Sequence, residues 1–118
     1  MITGSEKYRG AAHLSAEAAL RGGVGLVSFA GPAALVGDLS LKYPEIVYRE
    51  TESIAEISES EIEALVELSK KHTATLLGSG SDNTDGLLRL TKALLDSEGG
   101  TLVLDADAIN ALSENGDD

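Results

Sequence analysis

Asp105 and Asp107 stand two positions apart where the apolar run Thr101-Leu102-Val103-Leu104 ends, just before Ala108-Ile109-Asn110. Carboxylates at the end of a buried strand need a partner, because an unpaired charge removed from water is costly. A metal ion, ribose hydroxyls or the amides of a helix N-terminus would each supply one. The plainer alternative is that Asp107 caps the helix that begins with Ala108, Ile109 and Asn110. A second candidate is Gly78-Ser79-Gly80-Ser81-Asp82-Asn83, which follows the β-branched and apolar run Thr73–Leu77 and has the glycine content of a phosphate-binding turn. Asn83 occupies the place of the third glycine of a dinucleotide fingerprint, and no Gly-Lys-Ser/Thr follows, so neither the Rossmann nor the Walker pattern is present. A third candidate is Gly10-Ala11-Ala12, which opens an Ala- and Leu-rich segment. Small residues at a helix start let a ligand approach the backbone amides, although tight packing would explain them equally.

Other chemistries lack their residues. The two histidines, His13 and His72, have no metal-ligand spacing, so capping or solvent-facing roles are expected of them. No nucleophile elbow or Ser-His-Asp order stands out. There are no cysteines, which excludes disulfides and zinc–thiolate sites. The formal net charge of −11 repels phosphate backbones and anionic headgroups, so neither nucleic acid nor a membrane is an expected partner. With no signal-like start and no apolar run near the ~20 residues that span a bilayer, a cytoplasmic protein is expected.

The elements that must position these candidates follow from periodicity and punctuation. A helix is expected from Gly10 to Arg21, stopped by Gly22-Gly23, then a buried strand over Gly25–Ala30 ended by Gly31-Pro32. Pro32 opens a short helix through Leu39, and Ile46-Val47-Tyr48 reads as a strand. Ser60 and Glu63 form a capping box for a helix running to about His72. The Thr73–Leu77 strand, a helix capped by Asn83 or Thr84 and running to Gly99-Gly100, and the Thr101–Leu104 strand complete the series. Eight glutamates and one arginine lie between Glu45 and Glu67, the composition of a solvated face. With aromatic residues at 3%, the core is expected to be Leu, Val, Ile and Ala. Strands alternating with helices predict an α/β fold of right-handed βαβ units on a parallel sheet, with ligands at the carboxyl ends of the strands. All three candidate segments fall at such ends.

Four stretches in order, Gly4-Ser5-Glu6-Lys7-Tyr8-Arg9-Gly10-Ala11-Ala12, Ala18-Ala19-Leu20-Arg21-Gly22-Gly23-Val24-Gly25-Leu26-Val27, Pro44-Glu45 and Leu104-Asp105-Ala106-Asp107-Ala108-Ile109-Asn110, resemble successive motifs of the NAD(P)H-hydrate dehydratase family. The resemblance implies a three-layer, ribokinase-like parallel-sheet fold, with residues 1–118 as the N-terminal half of a single carbohydrate-kinase-like domain. It also implies metabolite repair: dehydration of hydrated NADH and NADPH with ADP or ATP and Mg2+. By that resemblance Gly10, Ala11, Gly78, Gly80, Asp105, Asp107 and Asn110 bind the hydrated dinucleotide. Ser79 stands where the family has a proline and Asp82 where it has a third glycine.

The family's later segments, including the one that carries the catalytic base, have no counterpart among these residues, and no catalytic residue is assigned. A half sheet would expose a strand edge and an apolar face, so a homo-oligomer or completion by a C-terminal segment is expected. The alternatives are a ribokinase-like kinase of a vitamin-precursor alcohol, favoured by phosphorylation of a simple alcohol, and a degenerate acidic interaction module, favoured by the absent base.

Overall fold

A computed structural model describes residues 1–5, 8–23, 25–78, 84–97, 100–105 and 107–114, the last segment without the side chains of Asp107, Ala111, Leu112 and Glu114. In order the elements are α1 (Arg9–Arg21), β1 (Ser28–Gly31), α2 (Ala33–Lys42), β2 (Val47–Glu50), a 3-10 turn (Ile54–Glu56), α3 (Glu59–Lys70), β3 (Ala74–Leu77), α4 (Asp85–Asp96), β4 (Thr101–Leu104) and α5 (Asp107–Glu114). No helix among the described residues is long and apolar enough to cross a membrane.

Local chemistry sets most of these boundaries. Gly22 closes α1 by donating its N–H to the Ala18 carbonyl, and Gly23 follows at φ +81°. Pro32 precedes the first turn of α2, where its missing N–H costs nothing. Thr84 caps α4 by accepting from the Leu87 N–H at 3.2 Å. The cap of α3 is not Ser60 with Glu63. Ser58 accepts from the Glu61 N–H at 3.3 Å, while its own N–H donates at 2.8 Å to Glu52, which precedes the helix. The Ser-x-x-Glu pattern occurs twice, two residues apart, and burial decides between the registers, because starting at Glu59 turns Ile62 and Leu65 into the core.

The strands form two parallel pairs. Ser28 lies opposite Val47 and Gly31 opposite Glu50, while Ala74 lies opposite Thr101 and Leu77 opposite Leu104. Met1 and Ile2 join the pairs. The Met1 amino group donates to the Ser28 carbonyl at 2.6 Å, and the Met1 carbonyl accepts from Ala30 at 3.0 Å. Ile2 bonds the other way, donating to Leu76 at 2.8 Å and accepting from Gly78 at 3.3 Å. The spatial order is therefore β2, β1, Met1–Ile2, β3, β4, with α2 and α4 as the crossovers of two βαβ units.

Each half has its own core. Phe29, Leu35, Leu39, Tyr43 and Ile46 pack with Ala12 and Ala16 of α1. Ile54, Ile57, Ile62, Leu65, Leu77, Leu87, Leu90 and Leu94 pack on the other face, together with Ile2. The expected Leu, Val, Ile and Ala core describes the second half only. The first half is built around Phe29, whose ring meets Tyr48 edge-on at 6.2 Å. The Glu45–Glu67 face is solvated as expected, with Glu61 half-buried and the other seven glutamates exposed.

Candidate functional site

In a parallel sheet, helix N-termini and strand carboxyl ends collect on one edge. Here the ends of Ile2, β3 and β4 lie side by side, because Gly78 donates to the Ile2 carbonyl and Asp105 to the Leu77 carbonyl at 3.0 Å. Thr3-Gly4, Gly78 and Asp105 are thus neighbours along that edge. Gly78 adopts φ +113°, and a Cβ on it would strike the Asp105 carbonyl and come within 2.6 Å of the Ala108 methyl. The glycine is therefore demanded by the chain's own strand–helix contact. Gly4, at φ +76°, plays the same part for α1, since a Cβ there would lie 2.7 Å from that of Ala12.

Two features of this edge call for a polar partner. Thr3 is 2% exposed, and its hydroxyl oxygen is buried with no hydrogen-bond partner among the described residues. Leaving such a group unsatisfied costs about 1–3 kcal/mol. Nearby, α1 begins without a side-chain cap among the described residues and without an acidic residue in its first turn. Its N-terminal amides and the positive end of its dipole therefore face an anion-accepting position. Gly10 is exposed, with open space where a Cβ would stand, so nothing of its own blocks approach. Arg9, the first residue of α1, pairs with Asp38 of α2 at 2.9 Å. The contrast with α3 and α4, both closed by hydroxyl caps, is direct.

Gly10 and Ala11 occupy the first turn of α1, tied to the strand ends through the Gly4–Ala12 contact. Gly78 and Asp105 meet directly, and exposed Asn110 lies one turn into α5. Asp107 is the first residue of α5 rather than the residue before it, and the turn is closed by the Ala108 N–H donating to the Asp105 carbonyl at 3.1 Å. Gly80, with the rest of the Ser79–Asn83 turn, lies outside the described residues. Thr3 was missed by the sequence reading. The available signal was a β-branched hydroxyl residue ending an apolar pair immediately before a glycine.

His72 is remote from this edge. Its Nδ1 donates to the Leu68 carbonyl at 3.0 Å, and its Nε2 is hydrogen-bonded to the Ser28 hydroxyl at 2.9 Å. This caps the end of α3 as expected and ties it to β1. His13 lies against Tyr43, with ring centroids 6.2 Å apart. Among the described residues no three His, Asp or Glu side chains converge as a metal site would require.

A family model described as NAD(P)H-hydrate dehydratase matches residues 1–117. The chain is 30% identical over 118 residues to the bifunctional NAD(P)H-hydrate repair enzyme of Thermofilum pendens, covering 98% of this chain and 22% of that one. It is 34% identical over 117 residues to the enzyme of the same name from Moorella thermoacetica, covering 95% and 22%. It is also 32% identical over 114 residues to the ADP-dependent (S)-NAD(P)H-hydrate dehydratase of Xanthomonas campestris pv. campestris, covering 93% and 38%. The chain thus spans about a fifth of the bifunctional relatives' length. Parallel βαβ units, glycine-dependent strand ends and a match over nearly all of its residues agree: this chain belongs to the NAD(P)H-hydrate dehydratase family.

Proposed function

We propose that residues 1–118 are the N-terminal, substrate-side part of one cytoplasmic dehydratase domain that returns hydrated NADH and NADPH to the normal cofactors. The observation that carries this reading is the pairing of an uncapped α1 N-terminus with the orphaned Thr3 hydroxyl at the carboxyl edge of the sheet. Both are suited to a polyanionic ligand, and a dinucleotide brings a pyrophosphate. The amides of Gly10 and Ala11 hold that anion, Gly78 keeps the strand end clear, and the Asp105–Asn110 segment offers carboxylate and amide groups to ribose and nicotinamide substituents. Gly80 is included through the family resemblance. ADP or ATP supplies the phosphoryl group that makes the hydrate's hydroxyl a leaving group. The described residues contain no cluster suited to magnesium. By the family resemblance, the nucleotide side of the site falls to a C-terminal segment or to a second copy.

Thermal denaturation with hydrated NADH, ordinary NADH and ADP–magnesium tests the reading, since a ligand bound only by the folded state raises the midpoint. A larger rise with the hydrate than with NADH is expected. Gly10→Glu places a negative charge in the first turn of α1 where there is open space. It should leave the ligand-free midpoint intact and abolish that rise. If the hydrate gives no rise, or the variant keeps it, the assignment of α1 as the anion site fails.

A further inference from the structure

Among the described residues, Thr3 alone buries a side-chain polar atom with no hydrogen-bond partner. Its direction follows from its neighbours. Met1 packs on the α1 side of the sheet and Ile2 on the α3 side, so the alternation of an extended segment returns Thr3 to the α1 side. Gly4 then turns at φ +76°, and a Cβ placed on it would lie 3.2 Å from the Ala12 nitrogen and 3.3 Å from the Tyr8 carbonyl, both in the backbone at the start of α1. The orphaned hydroxyl is thus lodged against the first turn of that helix.

That turn presents donors. The N–H groups of Arg9, Gly10 and Ala11 have no carbonyl to meet inside the helix. Tyr8 at the N-cap supplies no side-chain acceptor, and open space stands where a Cβ of Gly10 would be. Three amides and one hydroxyl, with no carboxylate in the first turn, suit the oxygens of a single phosphate dianion. A dinucleotide's pyrophosphate meets them through one of its two phosphates, so nothing at this turn requires the rest of the dinucleotide.

The reaction proposed above releases such an anion. When the phosphorylated hydroxyl leaves, its C–O bond breaks with the electron pair going to oxygen. The neighbouring ring carbon gives its proton to a base as the double bond forms, and inorganic phosphate comes free. We propose that free phosphate binds at Thr3 and the α1 N-terminus in competition with the hydrated dinucleotide, so that the product of the elimination restrains further substrate binding. The competition rests on the dehydratase reading.

Inorganic phosphate is the probe, added to the full chain at constant ionic strength with chloride as the reference. Saturable shifts of the Gly10 and Ala11 amides are expected in proton–nitrogen correlation spectra with phosphate and not with chloride. Thr3→Val keeps the side chain's shape and removes the orphaned hydroxyl, so it should raise the ligand-free thermal midpoint yet weaken phosphate binding about tenfold. Gly10→Glu, at an exposed position, should abolish the phosphate shift at Ala11. Phosphate at its own dissociation constant should double the apparent dissociation constant of hydrated NADH. Amides that respond alike to phosphate and chloride would overturn the site, as would either variant holding phosphate as tightly as the original chain. Unchanged hydrate affinity in saturating phosphate would overturn the competition and leave the dehydratase reading standing. Phosphate binding without any hydrate binding would sink that reading and the competition with it.

Discussion

The two halves of the sheet solve the same packing problem with different materials. The β1–β2 half buries Phe29, Tyr43 and partly Tyr48 against the small residues Ala12 and Ala16, and its helices α1 and α2 begin without side-chain caps among the described residues. The β3–β4 half buries leucines and isoleucines, and its helices α3 and α4 are each closed by a hydroxyl. A cap satisfies an amide that a ligand could otherwise use. The second half spends its helix starts on its own stability, whereas the first leaves at least that of α1 open beside the strand ends. Small alanines on α1 serve the same purpose, because they bring that helix onto Gly4 at the carboxyl edge.

The largest effect is expected from Phe29→Ala. This removes a fully buried ring and should cost about 3–5 kcal/mol in urea denaturation. Leu90→Ala, equally buried in the other half, should cost about 2–5 kcal/mol. If Met1–Ile2 makes the halves one cooperative unit, both substitutions shift a single transition. Two separate transitions in either variant would break that picture.

Next is a pH effect at the junction itself. Burial holds the Met1 amino group at a pKa of about 6, against 8.0 ordinarily. Between those values the unfolded chain binds the proton and the folded chain does not, so stability rises with pH from 6 to 8 and is lost as pH falls through 6. The two-unit shift corresponds to about 2–3 kcal/mol, and acetylating the amino group should flatten this part of the curve. A smaller loss, about 1 kcal/mol, is expected for Thr84→Ala through its cap on α4. The smallest belongs to Arg9→Ala. Its ion pair with Asp38 is half-exposed on both sides, worth less than about 1 kcal/mol, so equilibrium denaturation should barely register the change while hydrate binding weakens.

Much of the fold was legible because local signals were strong. Gly22-Gly23 ended α1, Pro32 opened α2 and Thr84 capped α4 where expected. The misplaced cap of α3 shows the limit. Ser58 and Ser60 both satisfy the local rule, and only the burial of Ile62 and Leu65 separates them. Of the site residues, Gly78 and Asp105 do stand together. Gly78, however, is explained by its contact with the Asp105 carbonyl and Ala108, a distance in sequence that no turn rule covers. Thr3 was invisible because burial of a hydroxyl is a property of its neighbours and not of its type.

The amino-acid sequence by itself determined the alternation of helices and strands, the solvated glutamate face and the motifs that mark the family, since each depends on residues a few positions apart. The tertiary structure alone decided that Met1 and Ile2 bridge the two strand pairs and that Phe29, Tyr43 and Tyr48 gather in one half. These depend on contacts between residues dozens of positions apart, such as Ile2 with Leu77 and Met1 with Ser28. Pairing of that kind is set by which surfaces remain to be buried once the local elements have formed.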